Sequence, residues 1–393
     1  MSAAIEVWKS FIKLGFTAFG GPVAHIGFFR QEFVERQRWL TDNQFSQLLA
    51  ICQFLPGPAS SQMGMAIGLI RAGWAGAFAA FIAFTLPSAI VLFGFAGLAM
   101  YLDNATGIAI INGLKLVAVA VVAHALLGMS KTLTPDWTRR GIAFAAVIIL
   151  LLATSTWMQL LVILLGGIVG IWLCQARHLE SSEIKVPYSQ RSAVVLGMLF
   201  TALLLASFLS TTSSESTPFN LFANFYQAGA LVFGGGHVVL PLLEQGTVGN
   251  GWMTTDTFLA GYGAAQAVPG PLFTLSTYLG ANIDTGLASG WSALIATLAI
   301  FLPGFLLLLA LLPFWGKLTA TPKAAAAVAG VNAAVVGLLA AAWYDPVITS
   351  SIKSWADIII AIAGFMILAV LKKSALWTVL FCVLASLLFS VLM

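Results

Sequence analysis

The sequence predicts an all-α polytopic membrane protein. It is expected to contain two inverted-topology repeats with discontinuous helices or re-entrant half-helix hairpins, joined by one extra linking span. Three observations carry this: scarce charge, apolar runs broken by glycine and proline, and landmarks that recur in the same order along the chain. Of 393 residues, 60% are apolar and 8% are charged, against about 25% charged in soluble chains. A chain this poor in charge cannot cover a water-facing surface of its size. A soluble enzyme, a disordered protein and a nucleic-acid binder are therefore set aside. The excess of 18 basic over 14 acidic residues reads as membrane topology, through the positive-inside bias.

A span needs about 20 residues. Nine stretches are expected to cross: 75–101, 106–130, 141–156, 157–175, 193–210, 290–315, 325–342, 356–371 and 375–393. Arg177 to Arg191 and Thr211 to Thr217 read as loops. The N-terminal stretch to Ile12 lacks a continuous apolar core and carries Lys9, so it does not read as a cleavable signal. Cys52, Cys174 and Cys382 are far apart and without metal spacing, so neither a disulfide framework nor a metal site is expected.

The remaining apolar pieces, 5–20, 23–38, 42–55 and 59–70, are too short to cross alone. Glycine and proline stand between them, where helices break. Unwound backbone at membrane depth is tolerated only where protein buries it or it lines a cavity. The expectation is two hairpins of half-helices with their breaks inside the membrane.

The pattern then returns about 215 residues later. Phe19-Gly20-Gly21 with His25 is echoed by Phe233-Gly234-Gly235-Gly236-His237. Trp39-Leu40-Thr41 is echoed by Trp252-Met253-Thr254. Gln53-x-x-Pro56-Gly57-Pro58 is echoed by Gln266-x-x-Pro269-Gly270-Pro271. Gly73-Trp74, Pro87 and Gly113 are echoed by Gly290-Trp291, Pro303 and Gly330. The units read as a repeat over 1–175, a linker with one span over 176–214, and a second repeat over 215–393. Each repeat holds four of the nine spans, so the odd linking span inverts the second. With Lys9 and Lys13 in the cytoplasm, the clusters Lys131/Arg139/Arg140, Arg177/Lys185/Arg191, Lys317/Lys323 and Lys372/Lys373 all fall on that side. Asp103, Asp345 and Asp357 fall outside.

Inverted repeats with discontinuous helices are the architecture of secondary transporters, whose sites lie near the midplane. Helix N-termini after Pro22, Pro58, Gly236 and Pro271 would point unpaired N–H groups at the breaks, which favours an anion. Gly20, Gly21, Gly57, Gly235, Gly236 and Gly270 would let backbone approach it. Gln53, Ser60, Ser61, Gln62, Gln266 and Thr274 would add side-chain donors, with Ser276 and Thr277 nearby. Helix capping is the competing reading of the hydroxyls. Lys115, in an otherwise apolar span, is the expected buried cation, with snorkelling to an interface as its alternative. His25 and His237 suit a proton as coupling ion, against a merely packed role. His124 and His178 read as structural. Arg30 and Glu32 are candidates for entry or gating, against a solvated charged face. No nucleophile–base pair, Walker lysine loop or paired metal-ligand motif is present, so neither an enzyme nor a cofactor is expected.

The motifs Phe19-Gly20-Gly21-Pro22-x-x-His25-Ile26-Gly27, Gln53-x-Leu55-Pro56-Gly57-Pro58-x-Ser60-x-Gln62 and Arg71-Ala72-Gly73 resemble the N-terminal half of the chromate ion transporter family. Phe233 to Pro241 and Gly261 to Phe273 are similar to its C-terminal half. The match covers both repeats, so the chain resembles the long, two-domain bacterial form. The resemblance implies chromate efflux across the bacterial inner membrane, chromate resistance, and competition by sulfate. The residues alone reach an alternating-access carrier with an anion-friendly site. A sulfate or other small-oxyanion carrier, and an anion-binding membrane receptor or scaffold, remain alternatives. Coupling stoichiometry and oligomeric state, a homodimer included, stay open. The expected topology is N-terminus in, C-terminus out. A C-terminal fusion to a reporter that works only in the cytoplasm should therefore stay silent; activity would overturn the inverted arrangement.

Overall fold

The computed structural model describes residues 2–19, 21–99, 104–153, 156–174, 186–209, 215–315 and 321–392, and every regular element among them is helical. The first half runs α1 (Ala3–Thr17), α2 (Gly21–Arg30), α3 (Asp42–Phe54), α4 (Ala59–Ala99), α5 (Ala105–Leu133), α6 (Trp137–Leu152) and α7 (Thr156–Leu173). A linking helix α8 (Gln190–Phe208) follows. The second half runs α9 (Pro218–Leu231), α10 (Val239–Thr247), α11 (Thr255–Ala265), α12 (Leu275–Asn282), α13 (Ser289–Leu311), α14 (Pro322–Ala342), α15 (Trp355–Ala369) and α16 (Ala375–Leu392). The extra element in the second half is only apparent. α4 leaves helical geometry at Ala72 and Gly73, so its two parts correspond to α12 and α13.

The same local chemistry starts equivalent helices. Thr41 caps α3 by accepting from the Gln44 N–H, and Thr254 caps α11 by accepting from the Thr257 N–H. A polar oxygen there satisfies one of the N–H groups a helix start leaves free. Ser189 caps α8 in the same way, so Arg191 lies in the first turn of a helix and the expected loop ends before it.

Among the described residues all nine expected spans are helical over most of their length, but the helices are not equally long. Among the described residues five helices are long and apolar enough to cross a membrane: α4, α5, α8, α13 and α14. α7, α15 and α16 are apolar but shorter, and α6 has 16 residues. Asp136 caps α6 so that it starts at Trp137, before the expected 141, and it ends at Leu152; the helix is shifted along the chain at the expected length. The chain is a multi-pass membrane protein. Gly20, Asp103, Arg177, His178, Lys185, Lys317 and the start of the Thr211–Thr217 loop lie outside the described residues.

Packing exchanges the halves. α6 and α7 of the first half lie on α14 of the second; α15 and α16 of the second lie on α5 of the first. Within each half, α1 packs on α4 and α9 on α13. Lipid offers helices no hydrophobic reason to associate, so membrane interfaces rely on small residues that let backbones close up. The recurring Gly113 and Gly330 do this. A Cβ on Gly113 would stand 2.6 Å from the Val383 Cα of α16; one on Gly330 would stand 2.1 Å from the Gly166 carbonyl oxygen of α7. Gly330→Val should therefore destabilise the protein by about 1–3 kcal/mol or more. Gly141→Ala, with nothing within 4 Å of its added Cβ, should stay within about 0.5 kcal/mol of the parent. Thermal melts of the purified proteins check both, and equal melting points would refute the packing role.

Candidate functional site

Four breaks interrupt the helices, and the structure pairs them across the two halves. α1 ends at Thr17, and α2 restarts at Gly21 with φ +75°. α3 ends at Phe54, and Gly57 between its prolines takes φ +117°. In the second half, Gly234 and Gly235 take φ +75° and +146°, and Gly270 takes +104°. The Gly57 N–H donates to the Val232 carbonyl at 2.7 Å, and the Gly270 N–H donates to the Ala18 carbonyl at 3.0 Å. Each Pro-Gly-Pro break thus rests on the glycine break of the other half. Glycine is required at both positions twice over. The backbone is left-handed, and a Cβ would stand 2.9 Å from the Gly304 Cα at Gly57 and 2.9 Å from the Ser88 Oγ at Gly270.

The restarting helices differ between halves. α2 and α4 begin directly, whereas α10 and α12 follow tight turns over Gly236–Val238 and Leu272–Thr274. There the Val238 N–H donates to the Gly235 carbonyl and the Thr274 N–H to the Pro271 carbonyl. Part of the donor set expected after Gly236 and Pro271 is therefore consumed locally.

Side chains complete the crossing. Gln62 is fully buried, and its Nε2 donates to the Pro56 and Gly304 carbonyls, both at 2.9 Å. Four buried atoms of the break segments have no hydrogen-bond partner: His25 Nδ1, Ser61 Oγ, Gln62 Oε1 and Gln266 Nε2. Unpaired polar atoms in a buried site are costly. Ser61 and Gln266 hold unused N–H or O–H donors. His25 meets the Ala18 carbonyl through Nε2 at 3.1 Å, so its Nδ1 accepts when the ring is neutral and donates only when charged. Ser60 is buried beside them, and Gln53 is exposed. The Thr274 hydroxyl donates to the Pro271 carbonyl at 2.6 Å and the Ser276 hydroxyl to the Phe273 carbonyl at 2.7 Å; both protons are spent on capping. His237 Nδ1 lies 2.7 Å from the Tyr262 hydroxyl, outside the set of unpaired groups.

Lys115 is wholly buried, as expected, but its charge is met. Nζ lies 2.5 Å from Asp256 Oδ1, on the first turn of α11. Sequence reasoning missed Asp256, although its place two residues after the recurring Thr254 was readable. Lys115 is therefore not counted among the unpaired donors. Arg30 pairs with Glu35 and Asp42, and the Asp42 carboxylate, then Glu35, holds its guanidinium above the usual range. Glu32 pairs with Arg36 at 3.0 Å. Glu32, unlike Arg30, lines a cleft of about 430 Å³ with Lys13, Thr17, Gln31, Glu35 and Arg36. Among the described residues no group of three or more His, Cys, Asp or Glu is placed to hold a metal ion.

Comparison with known proteins finds the same two halves. The profile of the chromate transporter family matches residues 5–171 and again 219–387. The chromate transport protein of Pseudomonas aeruginosa is 28% identical over 348 residues, covering 86% of this chain and 80% of that protein. The chromate transport protein of Cupriavidus metallidurans is 26% identical over 365 residues, covering 92% and 86%. A shorter, uncharacterised transporter of Bacillus subtilis is 27% identical over 168 residues, which cover 43% of this chain and 83% of its own length. No solved structure matches the chain.

The hydrogen bonds of Gln62 predict a stability effect at the crossing. Gln62→Leu leaves the Pro56 carbonyl without this donor and takes a second bond from the helical Gly304 carbonyl, and should cost about 1–3 kcal/mol. Gln53→Leu, at an exposed position, should cost little. Thermal unfolding separates the two; no loss in Gln62→Leu would show the bonds to be dispensable.

Proposed function

The chain belongs to the chromate transporter family, and from that premise we propose that it is a secondary transporter exporting chromate, a tetrahedral oxyanion, across the bacterial inner membrane. The export gives chromate resistance and proceeds by alternating access. The observation that carries this reading is the set of unpaired buried polar atoms at the crossing, His25 Nδ1, Ser61 Oγ and Gln266 Nε2. Ser61 and Gln266, one from each half, would donate to an oxyanion held between them; His25 Nδ1 would join them only with its ring charged, and Gln62 Oε1, an acceptor, would not. Of the positive-φ glycines, Gly21 and Gly235 have no atom closer than 3.9 Å to where a Cβ would stand, which leaves room for a ligand to approach the backbone there. A dianion stripped of water needs several donors in a fixed arrangement, and hydroxyls and amides supply them without adding charge of the wrong sign.

The two halves act on this reading as inverted repeats. Support comes from the reciprocal bonds of Gly57 and Gly270 and from the exchanged packing of α7 on α14 and α16 on α5. A contact that recurs with the halves exchanged is what a two-fold relation produces. The odd linking helix α8 makes the axis lie in the membrane plane. Driving energy comes from an ion gradient or from substrate exchange. His25 is the group proposed to carry a coupling proton, because charging its ring turns Nδ1 from an acceptor into a donor.

The same donors would hold sulfate, a dianion of the same shape, so a sulfate or other small-oxyanion carrier is the competing reading within transport. Flux of each ion in the presence of the other decides between them. Binding without net flux in proteoliposomes would instead make the protein a receptor or scaffold.

In everted vesicles the wild type should accumulate chromate. Ser61→Ala and Gln266→Leu each remove one donor to a charged group, about 1.5–3 kcal/mol. Each should raise the half-saturating concentration about tenfold to a hundredfold. Wild-type affinity in both would remove these residues from the site.

A further inference from the structure

The two hairpins of the protein are not seated alike. The second hairpin packs its helix α11 onto α5 of the opposite half, so closely that a Cβ on Gly263 would stand 2.1 Å from the Leu114 carbonyl oxygen. The first hairpin makes no comparable packing of α3 on α14, the equivalent pair. On one side the halves are sealed by α11 against α5; on the other they are not. The seal ends in the Lys115–Asp256 ion pair. Lys115 is 0% exposed and Asp256 56%, so the pair closes the contact with its carboxylate facing outward.

The register of the repeats identifies the counterpart of this pair. Asp256 stands two residues after the capping Thr254, and Asn43 stands two after the capping Thr41. Lys115 stands two residues after Gly113, and Asn332 stands two after Gly330. The equivalent of Lys115–Asp256 is therefore Asn332–Asn43, a pair of amides that can hydrogen-bond each other. The two asparagines are apart in this structure. Asn43 accepts from Gln47 at 3.2 Å on its own helix, while the buried Asn332 Oδ1 has no partner. A buried acceptor without a partner in one arrangement is readily explained if a second arrangement supplies one.

We infer that Lys115–Asp256 and Asn43–Asn332 are the two gates of the transport cycle, and that the alternate state breaks the ion pair, swings α3 onto α14 and joins the asparagines. The structure shows the state in which the ionic gate is shut. The inference rests on the alternating-access reading and adds to it which residues close each face.

Cysteine pairs test it in full-length protein whose native Cys52, Cys174 and Cys382 have been replaced. Lys115→Cys/Asp256→Cys and Asn43→Cys/Asn332→Cys are each treated with a short, cleavable bis-maleimide in proteoliposomes. Both pairs are expected to cross-link, each stopping chromate flux at least tenfold, with flux restored on cleavage. A 43–332 pair that never cross-links while the untreated variant still carries flux overturns the inference and leaves the transport reading intact. Absence of any oxyanion flux in the wild type removes the transport reading itself. Should either double variant not fold, spin labels at exposed positions decide. Distances between Gln44 and Lys323, and between Thr254 and Thr106, are expected to change in opposite senses on adding chromate. A single fixed distance for both pairs in an actively transporting protein overturns the inference.

Discussion

Everything in this structure depends on one constraint: a broken helix at membrane depth must have its freed backbone groups satisfied by protein. Each unsatisfied group there costs several kcal/mol. The molecule meets the constraint across its two halves. The Gly57 N–H reaches the Val232 carbonyl, and the Gly270 N–H reaches the Ala18 carbonyl. Neither half could keep its breaks unwound alone, because each supplies the partner the other lacks. The fold therefore needs both copies. The glycines at the crossing follow from the same demand, since only a residue without a side chain fits the positive φ and the contact with Gly304 or Ser88.

The packing outside the crossing obeys a related rule. Helices in lipid associate through close backbone contact, so the interfaces of α7 with α14 and α16 with α5 are lined by small residues. These interfaces join the halves, which ties the crossing to a rigid frame. The hairpin helix α3 is held less extensively than its counterpart α11, which packs closely on α5. Such an arrangement keeps the breaks in place while leaving α3 without comparable packing across the halves, as the proposed access from alternate faces requires.

Legibility in the sequence followed the reach of each constraint. Gly57 and Gly270 were readable because a strained φ needs glycine wherever the neighbours are. Gly113 and Gly330 were readable because close approach leaves the same mark in both halves. Span boundaries were read less well. Apolar runs do not show where a capping residue such as Asp136 begins a helix, so α6 starts and ends earlier than the expected 141–156. The partner of Lys115 was not read at all, because Asp256 lies 141 residues away and the approach of α11 to α5 is a property of the folded chain. For the same reason Thr274 and Ser276 looked like free donors, while the folded turns spend their protons on the Pro271 and Phe273 carbonyls.

In the proposed cycle, the chemical difference between the Lys115–Asp256 and Asn43–Asn332 gates has an energetic logic. A carrier needs both of its states within a few kcal/mol of each other. Breaking a buried ion pair by removing one partner costs about 3–5 kcal/mol, because a charge is left dry. Opening a gate is different: water enters, and both charges regain hydration. The side chain of Asp256 is already 56% exposed, so part of its hydration is never lost, and the pair can open without the full penalty of a dry charge. The amide pair has little to lose on opening, since neutral amides exchange one partner for water at a net cost of about 1 kcal/mol. An ionic gate that rehydrates and an amide gate that is weak by nature can therefore balance. A second ionic gate in place of Asn43 and Asn332 would add two more charges to be desolvated, in a chain whose 8% charged residues leave few in the interior.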